Sequence, residues 1–196
     1  MEYEVFVSGI GGQGIQLIAK MLAVAATAEN RHVMLNGVYG GEMRGGNSLA
    51  TVVIGARPLR ALPVTASARA AVVLHSKYWE APRSRLRPDG LIVADTEVAE
   101  RLPREQTQSL ICVPATHIAR EIGNEMVAGM VLMSAFNALT GLVSQDQLRG
   151  AMLRLVPPYR AQHIAANDKA IASGADAVVP LSRRVDLVGG LETGAT

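Results

Sequence analysis

The opening segment constrains this chain more than any other part of it. Val5-Phe6-Val7-Ser8 is short, apolar and β-prone, and it runs into Gly9-Ile10-Gly11-Gly12-Gln13-Gly14. Residues Ile15 to Ala28 are then rich in Ala, Leu, Ile and Met, with no proline. That order predicts a strand, a tight glycine turn and a well-buried helix. Gln16 and Lys20 stand four apart and share the solvated side of the helix. So narrow a polar stripe suits a helix packed between a sheet and another subunit.

The same alternation continues down the chain. His32-Val33-Met34-Leu35 predicts a second strand, and a glycine-rich loop follows from Gly37 through Gly46. Leu49 to Ile54, Ala71 to Leu74, Leu91 to Ala94 and Leu110 to Val113 are further short apolar strands. His75 to Leu86 holds a short helix that Pro82 limits to a turn or two. Pro88-Asp89-Gly90 marks a turn. From Thr116 the pattern becomes helical. Thr116 to Ile122 stops near Gly123-Asn124, and Glu125 to Thr140 stops at Gly141. Ser144, three residues before Gln147, opens a capping box for a helix to about Leu155. Pro157-Pro158 ends that helix, and Ala161 to Ala172 forms a last helical segment.

Short strands alternating with helices predict the α/β class: a single Rossmann-like domain with a mostly parallel sheet, helices on both faces and C-terminal helical segments. The domain is expected over 1–175, with an irregular tail over 176–196 ordered by a partner. Ligands of such folds sit at the carboxyl ends of the strands. Both glycine-rich loops belong at that edge.

Composition removes several function classes. A formal charge of +2 is too small to imply nucleic acid or a membrane surface, although 16 of the 19 basic residues are arginine. No apolar run reaches a membrane-spanning length, and the first residues lack the basic-then-apolar pattern of a secretory signal. The chain is therefore expected in the cytoplasm. Cys112 is the only cysteine. It can form no intrachain disulfide and no cysteine cluster, and inside an apolar strand it reads as a small core residue. His32, His75, His117 and His163 have no metal-ligand spacing, so no metal site is expected. Met126, Met130 and Met133, spaced four and three, fall on one helix face.

The first loop, with Gly9, Gly11 and Gly14, satisfies G-x-G-x-x-G between a strand and a helix. It admits three readings: a dinucleotide site, a phosphate site shared with another chain, and a purely architectural turn. A nicotinamide site wants Asp or Glu at the end of the second strand, where this chain has Asn36 and Gly37. Gln13 can face a ligand or cap local peptide groups. The second loop, Tyr39-Gly40-Gly41-Glu42-Met43-Arg44-Gly45-Gly46-Asn47-Ser48, packs four glycines around one Glu and one Arg. Arg44 suits a two-pronged grip on phosphate or carboxylate, and Glu42 can orient it or contact another subunit.

These two loops, with the Ala-rich helix between them, resemble the gamma subunit or gamma domain of 2-oxoacid:acceptor oxidoreductases. That family includes the pyruvate, 2-ketoisovalerate, 2-oxoglutarate, indolepyruvate and phenylglyoxylate enzymes. Pro114-Ala115-Thr116 with Ala119, Gly123 and Asn124, and Asn167 with Lys169, Ala170 and Gly174, extend the similarity over about residues 3 to 175. The resemblance implies oxidative decarboxylation of a 2-oxoacid to an acyl-coenzyme A. It also implies thiamine diphosphate, magnesium and iron–sulphur clusters in catalytic alpha and beta subunits, or a fused large subunit, and an iron–sulphur subunit or domain. Electrons pass to ferredoxin, or to NAD through an FAD-containing partner. An aryl 2-oxoacid is the favoured substrate. This chain is expected to bind no cofactor alone, to carry no catalytic residue and to shape the substrate or coenzyme A approach. The resemblance places interface or ligand contacts on Gly11, Gly12, Gln13, Arg44, Gly45 and Gly46, and Gly9, Gly14, Glu42 and Asn47 of the same two loops join them as cofactor-contact candidates. The rival is a standalone NAD- or nucleotide-binding Rossmann-like oxidoreductase.

Overall fold

A computed structural model describes residues 1–41, 45–59 and 65–181. The central strand β1 (Glu2–Ile10) carries side chains buried on both faces, which is why Val5 to Ser8 reads as continuous rather than alternating. Helix α1 (Ile15–Ala28) has the bounds expected of it. β2 (His32–Tyr39) and β3 (Asn47–Gly55) pair antiparallel, and β3 returns along β1 from Ile10↔Asn47 to Glu2↔Gly55. On the other side β4 (Ala68–Val73), β5 (Leu86–Asp95) and β6 (Ser109–Val113) follow in parallel. The order among the described residues is β2-β3-β1-β4-β5-β6. β3 alone runs against the others, so the sheet is mostly parallel, as expected.

The hairpin changes the consequence of the first glycine loop. In a dinucleotide-binding sheet the second strand lies beside the first, and its acidic end reaches the ribose. Here β3 stands between β1 and β2, and β2 carries Asn36 and Gly37 near its end. The ribose-binding half of such a site is missing in topology as well as in residue type.

Five helices share one face of the sheet with the larger core. They are α1, α4 (Ala115–Ile122), α5 (Ala128–Thr140), α6 (Gln145–Leu155) and α7 (Ile164–Asp176), packed over Val5, Val7, Val52, Val72 and Val93. The other face carries only two four-residue helices among the described residues, α2 (Glu80–Arg83) and α3 (Thr96–Ala99). There Phe6, Ala71, Ile92 and Ala94 gather with Trp79, Ala99 and Leu102. Helices thus flank both faces, but unequally. The last helix extends past the expected domain end at 175 to Asp176, and residues 182–196 lie outside the described residues. Among the described residues no helix is long and apolar enough to cross a membrane.

Two expectations need correction. Pro88-Asp89-Gly90 does not separate elements but lies within β5, where the register with β4 slips from Ala68↔Leu86 to Ala70↔Leu91. The turn chemistry makes a bulge, a place in a sheet that tolerates proline. Cys112 is exposed rather than core. It sits on the edge strand β6, on the face that the short helices leave partly uncovered. Asp95, the last residue of β5, also ties neighbouring elements together. Its buried carboxylate accepts from the Glu97 amide at 2.9 Å and the Thr116 amide at 2.6 Å, joining the starts of α3 and α4 to β5.

Candidate functional site

The two glycine loops meet at the carboxyl edge of β1. The Gly11 amide donates to the Gly46 carbonyl at 2.9 Å, and the Gly45 amide donates to the Gly11 carbonyl at 3.4 Å. The Gly40 amide donates to the Asn47 carbonyl at 2.7 Å and closes the base of the second loop. A third loop joins them: Lys77 Nζ and Tyr78 Oη reach the Gly45 carbonyl at 3.4 and 3.5 Å. Gly14 sits at the N-cap of α1 with φ 73°, a left-handed conformation that glycine adopts without strain, and offers no capping side chain.

Beside this junction lies a cleft of about 720 Å³. Its floor is the glycine turn and the first residues of α1, from Ile10 to Leu17. One wall is the β2–β3 turn with Tyr39, Gly46, Asn47 and Ser48. The opposite wall comes from the helical layer. It comprises the 3₁₀ turn Glu125–Val127, the start of α5, the end of α6, the 3₁₀ turn Pro158–His163, and Asn167 of α7. Among the described residues no carboxylate lines the cleft, whereas Arg160 and His163 do. The unpaired amides at the start of α1 add partial positive charge, so the cleft suits an anionic group.

The structure sorts the expected site residues. Gly11, Gly12, Gly14, Gly46 and Asn47 line the cleft. Gly9 lies beneath it, where an added Cβ would fall 2.6 Å from Gln13 Oε1 and Ile15 Cδ1. Gly45 supplies the inter-loop tie rather than lining. Gln13 is occupied internally: its Oε1 accepts from the Ile10 amide at 2.9 Å and its Nε2 donates to the Leu74 carbonyl at 3.2 Å. Of its two readings, the local cap is the one seen. Glu42 and Arg44 lie outside the described residues. His75 Nδ1 accepts from the Lys77 amide at 3.0 Å, a local turn contact, and His117 pairs with Glu121 along α4.

Sequence reasoning missed half of the cleft. Gln16 reads as solvated, yet its Nε2 donates to the Leu49 carbonyl at 3.1 Å and reaches Ser48 Oγ at 3.4 Å. Met126 parts from Met130 and Met133. It is 70% exposed at the rim, because the helix expected from Glu125 begins as a 3₁₀ turn. Arg160 and His163 come from a segment with no motif of their own, Asn167 from a stretch noted only for its family resemblance, and only the fold brings them opposite the glycine turn. The His163 ring approaches Gln162 at 3.5 Å rather than Ser48, so among the described residues the lining holds no nucleophile–base pair.

The strongly perturbed titratable groups lie elsewhere. Burial pushes the Tyr3 phenol up to about 12 and raises the Glu4 carboxyl, which Arg69 at 3.6 Å only partly offsets. The hydrogen-bonded Arg149 guanidinium lowers Asp168 on the outer side of α6 and α7. Among the described residues no group of three His, Cys, Asp or Glu converges to hold a metal. With one cysteine in the whole chain, the residues do not fit an iron–sulphur cluster, nor do the described ones offer the carboxylates that hold magnesium on a diphosphate.

A family model described as pyruvate ferredoxin/flavodoxin oxidoreductase matches residues 4–177. The 2-oxoglutarate synthase subunit KorC of Methanocaldococcus jannaschii is 31% identical over 161 residues, covering 80% of this chain and 85% of that relative. The ketoisovalerate oxidoreductase subunit VorA of Methanothermobacter marburgensis is 31% identical over 177 residues, covering 89% of this chain but 36% of that relative. The crystal structure of a keto/oxoacid ferredoxin oxidoreductase gamma subunit from Geobacter sulfurreducens superposes with a TM-score of 0.77. It is 27% identical and the match covers 90% of this chain and 96% of that one.

Proposed function

This chain belongs to the pyruvate ferredoxin/flavodoxin oxidoreductase family, as a gamma-type subunit, and from that premise we propose that it is the placement subunit of a 2-oxoacid oxidoreductase complex, with its carboxyl-edge cleft receiving coenzyme A. The complex converts a 2-oxoacid to carbon dioxide, two electrons and an acyl group that ends on the coenzyme A thiol. Thiamine diphosphate, magnesium and iron–sulphur clusters belong to alpha, beta and iron–sulphur partners, and the electrons leave to ferredoxin or, through a flavin partner, to NAD. Substrate choice also lies with those partners, and an aryl 2-oxoacid belongs among the substrates assayed.

One observation carries this reading. The cleft joins an uncapped helix start, Arg160 and, among the described residues, a lining free of carboxylates to a long apolar floor and wall. Coenzyme A is a ligand of that character, with phosphates at one end and a long uncharged arm at the other. The chain's own residues bind and orient it, and none moves a proton or an electron.

Arg160 is exposed, so replacing it does not disturb the core. Arg160→Glu is expected to raise the KM for coenzyme A about tenfold, the scale of a lost charge-assisted contact, with kcat little changed. Steady-state assays of the complex with a viologen acceptor measure this. An unchanged KM contradicts the reading.

A further inference from the structure

Asn167 is only 6% exposed, lines the cleft, and makes no side-chain hydrogen bond among the described residues. Across the same cleft, Asn47 Oδ1 is buried with no partner. A buried amide oxygen left unpaired, as at Asn47, costs roughly 1–3 kcal/mol, and the buried side-chain amides away from the cleft among the described residues, Gln108 and Asn137, are paired. Asn137, on α5, donates to the Val143 carbonyl at 2.9 Å and accepts from the Val143 amide at 3.0 Å. Ser134 Oγ and Thr140 Oγ1 both donate to helix carbonyls. The unpaired amides are therefore not a habit of this core. They occur where the fold opens a cavity.

A charged end needs only the helix start and Arg160. A carboxamide presents one acceptor and two donors in a plane, which is suited to a neutral edge that itself carries a donor and an acceptor. We infer that Asn167, assisted by Asn47, is the specificity-determining residue of this cleft, reading a neutral amide or amino-heterocycle edge on the ligand whose anionic end sits at the start of α1. This inference rests on the coenzyme A reading above. In coenzyme A such an edge exists in two regions, on the adenine and on each of the two amides of the pantetheine arm.

The test measures equilibrium binding to the purified complex containing wild-type, Asn167→Ala, Asn167→Asp or Arg160→Glu chain. The probes are coenzyme A, its adenine-nucleotide half and pantetheine. Asn167→Ala adds no bulk and is expected to weaken coenzyme A about tenfold, the effect of leaving one polar edge unpaired. Asn167→Asp, which keeps the shape but removes the donor, weakens it at least as much. A matching loss with the nucleotide half assigns the adenine edge, and a matching loss with pantetheine assigns the amides; either supports the inference. Because Asn167 pairs with nothing in the chain, Asn167→Ala leaves the unfolding midpoint unlowered, whereas a structural role would lower it. Wild-type affinity in both Asn167 variants, with Arg160→Glu weakened, overturns the inference and leaves the coenzyme A reading standing. Wild-type affinity in all three variants overturns both.

Discussion

Single residues decide two features of this molecule that composition hides. Glu4 sits on β1 with Oε2 buried and without a hydrogen bond, beside Arg69 at 3.6 Å. Burial raises its carboxyl above the ordinary carboxylate range. A folded-state value above the unfolded one means that Glu4 favours folding most at acid pH. That contribution is lost as pH rises from the ordinary carboxylate value through the raised one. Glu4→Gln is therefore expected to raise the unfolding midpoint above neutrality, with the gap to wild type closing in acid. A gap of constant size across pH, or a less stable variant at neutral pH, speaks against it. Residue-level reading of the sequence succeeded where a residue's chemistry is local. Asn36 and Gly37 stand near the end of β2 as read, without the carboxylate that a ribose site uses. It failed for Cys112, because an apolar run says nothing about whether its strand is central or at the edge.

Among the elements, boundaries marked by backbone chemistry were legible. Gly123 and Gly141 end α4 and α5 in left-handed conformations, and Ser144 Oγ accepts from the Gln147 amide to open α6. The reciprocal half of that box comes from elsewhere in the chain: the Ser144 amide donates to Glu29 Oε1, at the end of α1, at 2.7 Å. Such a partner, 115 residues away, leaves no local signal. The layer of helices rests on an equally non-local contact. A Cβ added to Gly174 on α7 would lie 2.2 Å from the Val131 carbonyl oxygen of α5, a backbone atom that cannot move aside. Gly174→Ala is expected to destabilise the chain by about 1–3 kcal/mol by forcing these helices apart. Because α7 carries Asn167, the same variant also weakens ligand binding in the cleft. Denaturant unfolding measures the first effect, and a midpoint equal to wild type contradicts the close-packing account.

For the whole molecule, the sequence foretold the class and the mostly parallel sheet, and its glycine-loop candidates fall on one side of the cleft. The glycine turns are written in consecutive residues, and the edge they occupy follows from strand direction. The opposite wall could not be read, since Met126, Arg160, His163 and Asn167 face the turn only after five helices stack on one side of the sheet. The interposed β3 was equally hidden, because antiparallel return along β1 and a parallel crossover look alike as a short apolar run. Together these features give a molecule with a cleft at its carboxyl edge and, among the described residues, no assembled catalytic pair and no donor set for a cluster. Its rim leaves Tyr39 71% exposed and Met126 70% exposed, large apolar groups suited to a subunit contact. Native mass spectrometry of the purified assembly, with its cofactors retained, tests this division of labour most directly. The account predicts that this chain appears in complex with larger subunits carrying thiamine diphosphate and iron–sulphur clusters, and that when released it carries neither. A released chain that retains thiamine diphosphate or a cluster contradicts it.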